Sequence, residues 1–163
     1  MKKHSINIIY YELESVSELD ETERNLMDKA AEACDNAYAP YSSFYVGAAV
    51  LLENNKIVSG SNQENAAYPS GLCAERVAMF AASTKYPGVS FKIIAITAKS
   101  KNFSVNFPVS PCGACRQVMA EYENQNQKPL KVIFKGETGK IIIIQNISGL
   151  LPFAFNSSQL KPY

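Results

Sequence analysis

Cys73 and Glu75 stand two positions apart, and Cys112 and Cys115 follow in the run Pro111-Cys112-Gly113-Ala114-Cys115. Three thiolates and one nearby carboxylate are enough to activate a water molecule on zinc. Zn²⁺ prefers tetrahedral nitrogen and sulfur ligands, and a catalytic site uses three protein ligands and leaves the fourth position open. Cys73, Cys112 and Cys115 would supply the three, for one zinc per chain. Glu75 is the acidic residue nearest in sequence to a ligand, close enough to reach a water on the metal without ligating it. A carboxylate there can take a proton and pass it on. Three thiolates around the dication leave a net charge of about −1, which weakens the metal as a Lewis acid. Arg76 and Arg116, each adjacent to a motif residue, are the candidates to offset that charge. Ligands at helix N-termini would gain further from the positive end of the helix dipole.

A structural zinc site is closed by four ligands, and the remaining candidates are Cys34 and the single histidine, His4. Cys34 sits among Leu26, Met27, Ala30, Ala31 and Ala37 at helical spacing, the pattern of a buried apolar thiol. A zinc-stabilised binding module without catalysis would need Cys34 as its fourth ligand. Nothing in the composition suggests an oxidising compartment in which the cysteines would pair.

The elements that must position these residues follow from periodicity. Residues 5–12 are β-rich and could add a short strand at a sheet edge. Ser17 with Asp20 is an imperfect capping signal for a helix whose apolar positions recur from Leu19 to about Tyr38, before Pro40. Residues 45–52 read as a strand, 53–56 as a turn and 57–60 as its hairpin partner, and Gly47, Ala48 and Ala49 leave room for close packing. A helix is expected from position 72 or 73 to about 84, and a strand buried on both faces over 91–98. A loop over 99–111 leads to a second helix from 112 or 113 to about 122, and strands follow over 130–134 and 141–145. Strands interleaved with helices imply an α/β fold, a three-layer α/β/α sandwich with a mixed central sheet of about five strands and the extra N-terminal edge strand. Both cysteine motifs then fall at the N-termini of neighbouring helices. At 163 residues the chain is expected to be one domain, 1–163, with residues 1–16 as an N-terminal extension.

A net charge of +1, with 47% hydrophobic and 19% charged residues, carries no electrostatic footprint for nucleic acid or an anionic membrane. The apolar stretch near the N-terminus is too short for a signal peptide and Glu12 and Glu14 follow it, so the expected location is cytoplasmic.

Beyond the cysteines, the chain carries Ala39-Pro40-Tyr41-Ser42-Ser43-Phe44, Val46-Gly47-Ala48-Ala49, Asn62-Gln63-Glu64-Asn65-Ala66-Ala67-Tyr68, Cys73-Ala74-Glu75-Arg76, Ser110-Pro111-Cys112-Gly113-Ala114-Cys115-Arg116-Gln117 and Leu150-Leu151-Pro152-Phe153-Ala154-Phe155. In that order these segments resemble the free-nucleoside cytidine deaminases over roughly residues 20–160. The resemblance implies zinc-dependent deamination of cytidine and deoxycytidine to uridine and deoxyuridine, with Cys73, Cys112 and Cys115 as ligands and Glu75 as proton shuttle. It also implies that Phe44 packs on the pyrimidine, that Asn62 and Glu64 bind the sugar hydroxyls, and that the Ala74 backbone contacts the base. Phe155 would enter a neighbouring subunit's pocket, in a homotetramer with shared active sites acting on a small nucleoside. Tyr45, Gln63 and Ser70-Gly71-Leu72 depart from the family pattern. On residue type alone, Phe44 and Phe155 could instead be core, and Asn62 with Glu64 could cap loops. Deamination of another aminopyrimidine nucleoside is an alternative. A polynucleotide substrate is disfavoured by the charge balance and by a first motif beginning with cysteine rather than histidine.

Overall fold

Strands that are apolar on both sides need cover on both sides, and a computed structural model, which describes residues 1–160, shows how they obtain it. In β2 (Phe44–Leu52) Ala49 and Leu51 join one buried cluster while Ala48, Val50 and Leu52 join another; in β4 (Phe91–Ser100) Ile93 and Ala95 divide from Ile94 and Ile96 in the same way. One face is covered by α1 (Glu21–Ala33) through Leu26, Met27 and Ala30. The other is covered by α2 (Ala74–Lys85) through Ala78, Met79 and Ala82 and by α3 (Gly113–Asn126) through Cys115 and Met119. The result is the expected three-layer sandwich.

With β1 (Tyr11–Leu13), β3 (Ile57–Ser61), β5 (Lys131–Lys135) and β6 (Ile141–Ile144), the sheet has six strands in the order β1-β6-β5-β4-β2-β3. The β4–β5 pair is parallel and the others are antiparallel. A parallel pair needs a crossover connection, and α3 supplies it. Because β3 and β4 both run antiparallel to β2, they share a direction, so the helices that follow them start at the same end of the sheet. This topology brings together two motifs separated by nearly forty positions in sequence.

Two close approaches set the layer spacing. A Cβ at Gly47 would lie 1.9 Å from the Ala30 carbonyl oxygen of α1, and one at Gly60 would lie 2.4 Å from the Ala78 nitrogen of α2. Small residues at 47–49 thus admit α1 on one face and α2 on the other.

Differences from the sequence reading lie at element ends. The N-terminal strand is Tyr11–Leu13, paired with Ile141–Ile143, and residues 5–10 lie outside it, exposed. Ser17 caps nothing. Asp20 caps α1 in a reciprocal box with Glu23, and Ser15 with Glu18 forms another one turn earlier. The second motif helix runs past Tyr122, which packs on Phe91 with ring centroids 4.4 Å apart, to Asn126. Among the described residues, no helix is long and apolar enough to cross a membrane.

Candidate active site

Helix N-termini build the site. Cys73 is the N-cap of α2, so Ala74, Glu75 and Arg76 occupy its first turn; Cys112 is the N-cap of α3 and Cys115 lies in its first turn. Neither N-cap thiol caps the backbone N–H groups of its own helix. Both are left facing the gap between the two helix ends, where the backbone N–H groups and the helix dipoles favour negative charge.

The Cys73 and Cys112 sulfurs are 3.7 Å apart, those of Cys112 and Cys115 are 3.5 Å apart, and all three fall within 4.8 Å of one another. Four tetrahedral bonds of ~2.3 Å to sulfur require sulfur–sulfur separations of about 3.8 Å. The donor set therefore fits zinc. Arg76 Nη2 approaches the Cys73 sulfur at 3.8 Å and the Gly71 carbonyl at 3.4 Å, while its buried Nε has no hydrogen-bond partner among the described residues. An unpaired donor beside the sulfurs suits a thiolate cluster that carries net negative charge. Mutual hydrogen bonding splits the thiols: the bond to Cys115, with help from Arg76, lowers Cys73 to about 5, and the same bond together with burial pushes Cys115 upward.

Cys34 plays no part in this cluster. Its sulfur lies on the α1 side of the sheet, 3.7 Å from the Ala30 and Thr97 carbonyl oxygens, and burial raises its thiol to about 11. His4 is exposed in the N-terminal segment. The fourth cysteine that a closed structural site needs is thus on the wrong face of the sheet.

Beside the sulfurs opens a cavity of about 590 Å³, lined in part by Val46, Asn62, Glu64, Cys73, Ala74 and Glu75. Glu75, 5% exposed, lines it, and burial raises its carboxyl above the usual range. Ala74 is fully buried beside it. Along the wall, the Asn62 amide pins the first residues of β2: Oδ1 accepts from Val46 N at 2.8 Å and Nδ2 donates to Phe44 O at 2.9 Å. Glu64 accepts from the Tyr41 and Ser42 backbone nitrogens at 2.9 and 3.3 Å and from the Ser42 hydroxyl, which holds its carboxyl below the ordinary value. The segment carrying both residues is itself fixed, since Gln63 exchanges backbone hydrogen bonds with Leu72 and its neighbours bond Tyr38.

Phe44 lies two residues before Val46 on the same face of β2, half-buried, its ring stacked on Phe103 at 6.3 Å. It borders the cavity rather than lining it. Phe155 is exposed and its main chain is tied to Gln117, away from this chain's own cavity wall. Arg116 contacts oxygens, not sulfurs. Sequence reasoning missed Ser42 and Tyr41 as partners of Glu64, the wall residues Val109 and Ser110, and Phe103. The Ser42-Ser43 turn ahead of a strand was the one available signal for the first of these.

The family pattern described as the cytidine and deoxycytidylate deaminase zinc-binding region matches residues 20–128. A cytidine deaminase of Sporosarcina psychrophila is 42% identical over 137 residues, covering 83% of this chain and 93% of the relative. One from Halalkalibacterium halodurans is 39% identical over 136 residues, 83% and 96% of the two chains. The crystal structure of cytidine deaminase from Burkholderia pseudomallei superposes with a TM-score of 0.70 at 39% identity, covering 80% of this chain and 97% of that one. With the matched region spanning both helix N-termini and the sulfur cluster they share, the chain belongs to the zinc-binding cytidine and deoxycytidylate deaminase family.

Proposed function

We propose that this chain hydrolyses cytidine and deoxycytidine to uridine and deoxyuridine, releasing ammonia, with one zinc held by Cys73, Cys112 and Cys115. The observation that carries this reading is the buried Glu75 carboxyl beside the three sulfurs, in a cavity whose wall also holds Asn62 and Glu64. Bound there, zinc would act as a Lewis acid and lower the pKa of a coordinated water toward neutrality. Glu75 takes one proton from the attacking water and gives it to the ring N3, where it stays, then takes the proton of the hydroxyl newly added at C4 and gives it to the amine, which departs as ammonia. Its raised pKa favours this exchange, because a carboxyl that is easily reprotonated can donate as well as accept. The Ala74 backbone, buried at the helix start, contacts the base. Phe44 lies over the pyrimidine edge, and Asn62 and Glu64 meet the sugar hydroxyls with the hydrogen-bonding capacity left free by β2 and the 41–42 turn. Arg76 offsets the charge of the thiolates.

A nucleoside suits the cavity better than a nucleotide, since among the described residues Arg76 is the cation lining it and its guanidinium is engaged with Cys73. Four free cysteines fit a reducing, cytoplasmic setting. The exposed Phe153 and Phe155, 87% and 54% accessible, support a homotetramer in which Phe155 completes a neighbour's pocket. Ammonia release measured across cytidine, deoxycytidine, cytosine, dCMP and adenosine tests the assignment. Cytidine and deoxycytidine should both turn over, with cytosine far poorer because the Glu64 contact is lost. Comparable kcat/KM for cytosine and cytidine contradicts it.

A further inference from the structure

Arg116 directly follows the last cysteine of the cluster, yet its guanidinium makes three contacts with oxygen. Nε donates to the Pro111 carbonyl at 2.8 Å, Nη2 to the Ser110 hydroxyl at 3.2 Å and Nη1 to the Leu150 carbonyl at 3.1 Å. The first two lie in the short loop that presents Cys112, which with Ser110 lines the cavity. Pro111 has no N–H, so its carbonyl is the main-chain handle by which this loop can be held just before the N-cap thiol. Cys112 itself is exposed. The third contact reaches a different part of the chain, where Leu150 and Leu151 pack on the core beside α2 and α3. The next helical residue, Gln117, reads the main chain of Phe155 with both ends of its amide: Nε2 donates to Phe155 O at 2.6 Å and Oε1 accepts from Phe155 N at 3.3 Å.

We propose that Arg116 is a positioning residue that locks the Cys112 loop to the C-terminal segment, coupling retention of the metal to docking of residues 150–151. This rests on the reading of Cys112 as a zinc ligand. The planar fork does the work, not the charge. Three acceptors in different directions match the several fixed N–H groups of a guanidinium, whereas a lysine ammonium at the end of a flexible stem holds no such fixed arrangement. Supporting groups of this kind fix the orientation of ligands, and losing one typically weakens metal binding about 10- to 100-fold.

The test loads purified wild type, Arg116→Lys, Arg116→Gln and Gln117→Ala with zinc, then measures the rate of zinc transfer to a colorimetric chelator and the rate of protease cleavage after Leu151. Zinc release should accelerate about 10- to 100-fold in both Arg116 variants, with faster cleavage of the C-terminal segment in the same two proteins. Gln117→Ala should expose the chain after Leu151 to protease while leaving zinc release at the wild-type rate. Wild-type zinc release from Arg116→Lys would overturn the proposal in favour of charge alone. A lowered Tm in Arg116→Gln with unchanged release would reduce Arg116 to a fold support, and accelerated release from Gln117→Ala would remove the assignment from Arg116. Should both Arg116 variants fail to fold, Ser110→Ala removes one of the three contacts. Faster release there supports the clamp and an unchanged rate overturns it. Failure of the underlying reading looks different: Cys112→Ser would then keep wild-type zinc content and release.

Discussion

Glu75 and Glu64 line the same cavity and are tuned in opposite directions. Glu75 has its carboxyl raised mainly by burial, which suits a group that must gain and lose a proton in each turnover. Glu75→Gln keeps the size and the fold but cannot accept a proton. Turnover should therefore fall by at least ~100-fold, while metal analysis still finds one zinc per chain; activity within a few-fold of wild type would remove Glu75 from the mechanism. Glu64 is lowered, chiefly by the Ser42 hydroxyl and then by the backbone N–H groups of the 41–42 turn. A carboxyl whose folded pKa lies below its unfolded value stabilises the fold above the unfolded pKa, and that contribution is lost as pH falls through the folded value. The protection of the Tyr41 and Ser42 amides, measured as exchange relative to the intrinsic rate at each pH, should therefore fall as pH drops from about 7 to below 4, and Glu64→Gln should lack that transition. The same acidification with no change at Tyr41 would show that the carboxylate does not hold the turn.

At the level of elements, the site depends on how closely α2 lies on the sheet. Gly60 in β3 faces the Ala78 nitrogen so tightly that a methyl group has no place without displacing helical backbone. Gly60→Ala should cost about 1–3 kcal/mol, the usual range for overpacking. Because α2 carries both Cys73 and Glu75, zinc content should fall along with Tm. A variant with lowered Tm and full zinc occupancy would show that the sulfur cluster tolerates a shift of this helix. Gly47 governs α1 in the same way on the opposite face, where no candidate site residue lies, and the corresponding alanine variant should lose stability with zinc retained in the folded fraction.

For the whole molecule, the C-terminal segment divides in two. Leu150 and Leu151 belong to the chain's own core, whereas Phe153 and Phe155 stand exposed. Truncation before Leu150 would therefore damage the monomer itself, and truncation after Leu151 is the cleaner probe of assembly. If the proposed homotetramer forms, that shorter chain should keep its zinc and its far-ultraviolet spectrum but lose both assembly in light scattering and most activity. Phe155→Ala should chiefly raise KM. A fully active monomer at assay concentration would refute shared sites and leave the zinc chemistry intact.

The chemistry was legible in the sequence because it is carried by residue types whose options are few. A Cys-x-Glu and a Pro-Cys-x-x-Cys leave little other than a three-sulfur metal site with a carboxylate beside it, and periodicity placed both at helix starts. The alternation of apolar residues in β2 and β4 likewise called for helices on both faces. Three things came only from the tertiary structure. Cys34, which helical spacing already marked as a buried apolar thiol, lies on the far face of the sheet from the cluster, and that layer order is what no spacing rule contains. Asn62 and Glu64 are held by β2 and the 41–42 turn, partners some twenty residues distant, so the hydrogen bonds that orient them have no local signature. Arg116, which by adjacency looked like a counter-charge for the thiolates, turned out to bind three oxygens. Neighbours in sequence share a backbone, but a helix turns each side chain about 100° from the last, and which atoms it meets is decided by what the rest of the fold packs there.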